Sequence, residues 1–288
     1  METKLTFKNK EIIISPERPF TIIGERINPT RRKKLAETMA QGDFSVVLED
    51  ARKQIEAGAH VLDVNAGIPG ADEPALLRGA VQAVMEFAQV PLCIDTANPE
   101  ALKAALEIYP GKALINSTTA EESMMERVFP LAKQFGAAVI GVITDESGVP
   151  PTPEARLAVA RKLIQRAGDY GIPPEDIVID CLALTVGADH KAGQITLDSV
   201  ALVRDELGVN LNLGASNVSF GLPDRKIINV AYLALAIARG LTVAITDPTV
   251  PEIQTTLLAC DLLMGRDEYA MRWIKAFRKR EKAAQAAQ

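Results

Sequence analysis

Short apolar runs recur along this chain at nearly regular intervals, and each is followed by a stretch of helical length and periodicity. The runs are TIIGER (21–26), HVLDVNA (60–66), PLCID (91–95), KALIN (112–116), AAVIGVIT (137–144), DIVID (176–180), VNLNLGAS (209–216) and TVAITD (242–247). Most are rich in Val, Ile and Leu on both faces, the pattern of strands in a parallel sheet covered by helices. Helical patterns fill the intervals at 44–57, 74–88, 99–108, 121–135, 153–170, 197–207, 225–238 and 252–263. Eight such units predict an α/β fold, a closed (β/α)8 TIM barrel rather than an open sheet. Such barrels reach about 250 residues as one domain, so residues 1–288 are expected to form a single domain.

Two segments fall outside the repeat. Residues 1–20 read as an N-terminal extension, a short hairpin with Leu5 and Phe7 before Asn9-Lys10 and Ile12, Ile13 and Ile14 after it, placed to close the barrel bottom. Residues 265–288 read as an extra C-terminal helix; MRWIKAFRKREK has a basic side and sets Trp273 and Phe277 on one face.

Composition narrows the function classes. Hydrophobic residues make up 48% and charged residues 24%, enough apolar material for a large core. Lys and Arg total 32 against 37 Asp and Glu, a net charge of -5, and no basic segment carries interleaved aromatics, which argues against nucleic acid as a partner. The N-terminus is charged throughout and no run approaches the roughly 20 apolar residues of a membrane span. A cytoplasmic protein is expected. The three cysteines, at 93, 181 and 260, lack the spacing of a disulfide framework or zinc site. Cys93 reads as a buried hydrophobe within its strand, and Cys181 as buried rather than pocket-lining.

Several strands end on polar side chains. PLCID closes on Asp95, KALIN on Asn116 and DIVID on Asp180, while NLGASN carries Asn217 after the seventh run. In a barrel of this kind the C-terminal strand ends open onto one shared face, where ligands bind. Asn98 followed by Pro99 forms a helix cap, and Thr118 with Glu121, or Thr119 with Glu122, fits a capping box, so Asp95 and Asn116 are not needed as caps. Ionised Asp only accepts hydrogen bonds, whereas Asn donates and accepts. Such a set suits a ligand with neighbouring N–H donors beside a ring nitrogen or carbonyl, as on the 2-amino-4-oxopyrimidine edge of a pterin or guanine. Metal coordination ranks below this, since no histidine ends a strand and no acidic pair has ligand spacing.

GERIN (24–28), LDVNAG (62–67), CIDTAN (93–98), INST (115–118), VIDCL (178–182) and GASNVSFGLPDR (214–225) resemble, in order and spacing, the pterin-binding methyltransferases that act with methyltetrahydrofolate and a corrinoid protein. The likeness spans residues 20–280. It implies that Asp95, Asn116 and Asp180 hold the pyrimidine side of the pterin and that Asn217 reaches the N5 region. It further implies a place near the folate for Arg225 and a site position for Asp63 in the second strand. Glu25 and Asn28 end the first strand, with a buried ion pair to Arg26 or Arg225 as the structural alternative for Glu25.

The resemblance also implies the reaction. A methyl group passes by in-line displacement between N5 of tetrahydrofolate and the cobalt of a cobalamin (corrinoid) carried by a partner protein, and Asn217 is the catalytic candidate, strengthening its hydrogen bond to N5 in the transition state. The corrinoid is expected on a partner because Ala188 replaces the aspartate of the Asp-x-His-x-x-Gly motif ahead of His190 and Gly193. His190 stands in a loop and His60 opens the second strand, where a structural role is expected. A homodimer is implied, with Trp273 and Phe277 at its interface. The direction of transfer is left open. Dihydropteroate synthase is the alternative family, but AGIPGADEP and SNVSFGLPDR depart from its Ser-Thr-Arg-Pro loop and lysine-bearing site. A non-catalytic folate-binding protein is the alternative of a different class.

Overall fold

The computed structural model describes residues 1–286. An antiparallel hairpin of β1 (Thr3–Phe7) and β2 (Lys10–Ile14) precedes eight parallel strands: β3 (Thr21–Ile27), β4 (Val61–Asn65), β5 (Leu92–Asp95), β6 (Leu114–Thr119), β7 (Ala138–Val142), β8 (Ile177–Asp180), β9 (Leu211–Asn212) and β10 (Val243–Thr246). Helices α1 (Lys33–Ala40) and α2 (Ser45–Glu56) follow β3, and single helices follow the others: α3 (Glu73–Phe87), α4 (Pro99–Leu106), α5 (Glu122–Phe135), α6 (Pro153–Asp169), α7 (Ala192–Leu207), α8 (Arg225–Arg239) and α9 (Pro251–Leu263). The last helix is α10 (Met271–Ala286); residues 287–288 of the expected C-terminal extension lie outside the described residues.

Strand order β10-β3-β4-β5-β6-β7-β8-β9 runs around the barrel. The seam between β9 and β10 is joined by Thr242 N donating to Leu211 O (3.2 Å) and Ile245 N to Leu213 O (3.0 Å). The predicted (β/α)8 barrel is thus the observed fold.

Strand periodicity explains the layering of the barrel interior. Ile23, Val61, Cys93, Leu114, Val178 and Val243 form an apolar cluster inside it with Leu5 and Ile14 of the hairpin. Two residues further along each strand the side chain returns to the same face. Those positions are Glu25, Asp63, Asp95, Asn116, Asp180 and Ile245, so a polar layer sits above an apolar floor. The hairpin closes the opposite end: Thr6 N donates to Lys112 O (3.0 Å), and Asn210 Nδ2 donates to Ile14 O (2.9 Å). There His60 Nδ1 accepts from Ile22 N at 3.0 Å, and burial lowers its pKa to about 4, in keeping with the structural role expected for it.

Several local expectations need correction. Helix α1 was not anticipated, although Leu35 and Met39, both buried, carry its i,i+4 stripe. Helix α7 begins at Ala192, earlier than the expected 197, which places His190 at its threshold. The seventh strand is much shorter than 209–216, because Gly214 leads into a 3-10 turn, Ala215–Ser219. The capping boxes at Thr118 and Thr119 do not form. Strand β6 runs on through Thr119, and Glu122 N donates instead to Glu146 Oε1 at 2.8 Å. The Asn98 cap does form, its Oδ1 accepting from Glu100 N (3.0 Å) and Ala101 N (3.2 Å).

Candidate active site

A cavity of about 470 Å³ opens above the polar layer, within the size range of small-ligand sites. Glu25, Asn28, Asp63, Asp95, Asn116, Asp180 and Asn217 all line it, joined by Arg26 near the end of β3 and Arg32 from the loop after it. The strands deliver the carboxylates side by side, with Asn65 paired to Asp95 and Asp95 to Asn116 in the parallel register.

Asp63 is 3% exposed and accepts a hydrogen bond from Asn116 Nδ2 at 3.1 Å. Burial, reinforced by the neighbouring Asp95 charge, pushes its pKa well above the usual carboxylate range. Burial also raises Asp95, to about 6, while hydrogen bonds from Asn65 and Asp63 oppose the rise. Burial therefore favours a proton on Asp63 more strongly than on Asp95. Because Asn116 commits its NH2 group to Asp63, its carbonyl oxygen is the atom left to accept from a ligand.

Asp180 is held from two sides. Its Oδ1 accepts from Leu182 N (2.7 Å) and its Oδ2 from Asn212 Nδ2 (2.6 Å). Burial raises its pKa to about 6 against these bonds. Asn212 was missed in the sequence; its signal is the period-2 placement in VNLNLG, which turns it into the barrel beside Asp180.

The ion pair weighed as the structural alternative for Glu25 does not form. The partner of Glu25 is the hydroxyl of Ser216, donating at 3.0 Å, whereas Arg26 pairs with Asp247 at 3.4 Å. Burial raises the Glu25 pKa. Arg225 does not line the main cavity. It borders an adjoining recess shared with Glu25 and Ser216, where its guanidinium donates to Ser219 Oγ (3.0 Å) and Ser216 O (2.6 Å) and stacks on Phe220 at 5.9 Å. Asn217 lies on the 3-10 turn rather than at a strand end; it is exposed, and its amide makes no side-chain hydrogen bond among the described residues.

His190 stands outside this cavity, beside Asp189 at 3.9 Å. Cys181 is fully buried. Among the described residues no group of three His, Cys, Asp or Glu side chains is arranged to hold a metal ion, and no helix is long and apolar enough to cross a membrane.

Chemically, the cavity offers a ring of acceptors at one depth, Asp95, the Asn116 carbonyl and Asp180, with a free amide at its mouth. That ring suits a planar ligand edge bearing several N–H donors.

Comparison with known proteins agrees with this chemistry. The chain is 29% identical over 264 residues to the methylcorrinoid:tetrahydrofolate methyltransferase of Eubacterium limosum, covering 90% of this chain and 96% of that protein. It is 31% identical over 237 residues to the methionine synthase of Mycobacterium leprae, of which it spans only 20%. Among solved structures, the fold is similar to Yersinia pestis DHPS with a pterine-sulfa conjugate (TM-score 0.67, 17% identity, covering 91% of this chain and 99% of that one). It is similar also to Xanthomonas albilineans dihydropteroate synthase (TM-score 0.65, 19% identity, covering 87% and 95%). Residues 24–247 match the family described as pterin binding enzyme, and the chain belongs to that family.

Proposed function

We propose that the protein is a methyltransferase that moves a methyl group between N5 of tetrahydrofolate and the cobalt of a corrinoid carried by a partner protein. The observation that carries this reading is the ring of acceptors at the strand ends combined with a free amide, Asn217, above it. The full-length similarity to the Eubacterium limosum enzyme supports it. Asp95, the Asn116 carbonyl and Asp180 accept from the N–H groups of the pyrimidine edge, with Asp63 setting the Asn116 amide. Glu25 and Arg225 border the region beyond the pterin ring.

In the transfer one bond to the methyl carbon breaks as the other forms; when N5 is the leaving group its electron pair takes a proton from solvent, and the charge that develops before then has to be stabilised. Asn217, set at the cavity mouth by the 3-10 turn, supplies a hydrogen-bond donor there, and its contribution grows as charge develops. The cobalt chemistry belongs to the partner's corrinoid. Structural likeness to dihydropteroate synthases reports the shared barrel alone, and AGIPGADEP and SNVSFGLPDR stand where that chemistry needs other loops.

A cytoplasmic homodimer completes the reading. Leu263, Met264, Tyr269, Met271 and Phe277 are exposed from the end of α9 into α10, an apolar face of the kind that self-association covers. The test of the site assignment is Asn217→Ala. It is expected to lower methyl transfer by about 10²-fold, as the loss of one preorganised transition-state donor does, with a smaller effect on folate affinity. Full turnover with only weakened folate binding would sink the assignment.

A further inference from the structure

Arg156 on α6 is among the largest wholly buried side chains, 2% exposed, and its hydrogen-bond partners among the described residues are all uncharged. A buried guanidinium without a bonded counter-charge is costly, so something must hold it there. Its partners are mainly carbonyls. Nε donates to Pro150 O at 3.1 Å, and Nη1 donates to Cys181 O at 2.9 Å, Leu182 O at 3.3 Å and Thr196 Oγ1 at 3.1 Å. The Thr196 hydroxyl itself lies 3.2 Å from the Leu182 carbonyl.

Cys181 and Leu182 form the turn that follows Asp180. Leu182 has φ of 54°, in the left-handed region, which a leucine occupies only when its surroundings impose it. That conformation returns the Leu182 N–H to Asp180 Oδ1. From the opposite side Asn212 reaches Oδ2.

We propose that Arg156 is a positioning residue of the pterin site: by gripping the carbonyls of Cys181 and Leu182 it fixes the turn that aims the Leu182 N–H at Asp180, and its buried cation favours the ionised carboxylate that the ligand needs. This rests on the reading of Asp180 as a pterin ligand. The groups facing Asp180 are Arg156 from α6, Cys181 in its own turn, Tyr232 from α8, and Asn212 and the Gly214 N–H on the β9 side. Asp63, Asp95 and Glu25 stand elsewhere around the cavity. Burial raises the pKa of both Cys181 and Tyr232, leaving them neutral, so of the groups facing Asp180 Arg156 alone brings positive charge. A purely structural clamp would stabilise the fold without touching ligand protonation, and this difference separates the two roles.

The experiment is calorimetric titration of the full chain with methyltetrahydrofolate between about pH 5 and pH 8, comparing wild type, Arg156→Met and Arg156→Lys. Arg156→Met is expected to raise the acidic midpoint of binding by about half a unit or more and to weaken neutral-pH affinity about tenfold. Arg156→Lys keeps the cation but loses the fork that spans several carbonyls, so its midpoint stays near wild type while affinity falls severalfold. Binding by Arg156→Met that matches wild type in affinity and midpoint, with only thermal stability reduced, overturns the proposal. Should Arg156→Met fail to fold, Arg156→Lys decides: wild-type affinity overturns the proposal, and weakened affinity with an unmoved midpoint supports it. Failure of the wild-type protein to bind the folate is a different result; it removes the pterin reading and this assignment with it.

Discussion

Replacing Asp180 by Asn is a demanding test of the pocket, because the change is nearly isosteric and its cost can be worked from two hydrogen bonds. The carboxylate accepts from Leu182 N at 2.7 Å and from Asn212 Nδ2 at 2.6 Å. An amide has one acceptor oxygen, so in either orientation its NH2 faces one of these donors and a buried donor goes unpaired. That costs about 1–3 kcal/mol, partly offset because a buried charge is no longer desolvated. The ligand meanwhile loses a charge-assisted hydrogen bond worth about 1.5–3 kcal/mol, which at roughly 1.4 kcal/mol per decade weakens binding about tenfold to 150-fold. Titration with methyltetrahydrofolate, alongside thermal melts, reads both quantities. Asp180→Ala leaves both donors unpaired and is expected to be the less stable of the two variants. A folded Asp180→Asn protein whose affinity stays within about twofold of wild type refutes the reasoning, since a residue giving the ligand a charge-assisted bond cannot be neutralised so cheaply.

Three further predictions concern the pocket carboxylates and the barrel bottom. Asp95 and Asp180 are raised from an ordinary 3.8 to about 6, and a raised folded pKa gives stability that is present below the unfolded value and lost as pH rises. The ligand-free protein should therefore lose stability from these two groups between about pH 4 and pH 6, while ligand donors favour the ionised forms. Pterin binding should then weaken below about pH 6 and release protons there, which calorimetry in buffers of different ionisation heat detects; proton-independent binding near that pH contradicts the assignment. At the barrel bottom, a Cβ on Gly111 would run into the Thr6 carbonyl of the hairpin, a backbone neighbour that cannot turn aside. Gly111→Ala should cost about 1–3 kcal/mol in denaturant melts and leave folate affinity unchanged, because the hairpin lies at the end opposite the cavity.

Much of the fold was legible because each strand repeats one physical pattern, an apolar run buried on both faces that gives way to polar side chains at its C-terminal end. Asp95, Asn116 and Asp180 stand two residues beyond Cys93, Leu114 and Val178 in the same inward column, so the polar layer follows from strand periodicity alone. The hairpin was readable for the same reason, since Leu5 and Ile14 had no other apolar surface to join. The seventh unit was not. Asn210 and Asn212 alternate with apolar residues, but the regular strand covers only Leu211–Asn212, and Asn217 arrives on a 3-10 turn. Partnerships between distant loops were also hidden. Ser216 rather than an arginine meets Glu25 because the turn after β9 reaches past β10 to the end of β3. Nothing in a helix that begins PEAR marks Arg156 as buried, since charged positions there ordinarily face water.

The most direct measurement mixes the purified protein with methyltetrahydrofolate and Co(I) cobalamin and follows the Co(I) absorbance. The absorbance is expected to decay in proportion to the protein added, with methylcobalamin as product, and Asn217→Ala is expected to slow the decay far more than it weakens folate binding. Folate binding without any loss of Co(I), or formation of pteroate from a pterin pyrophosphate and aminobenzoate in a parallel assay, contradicts it.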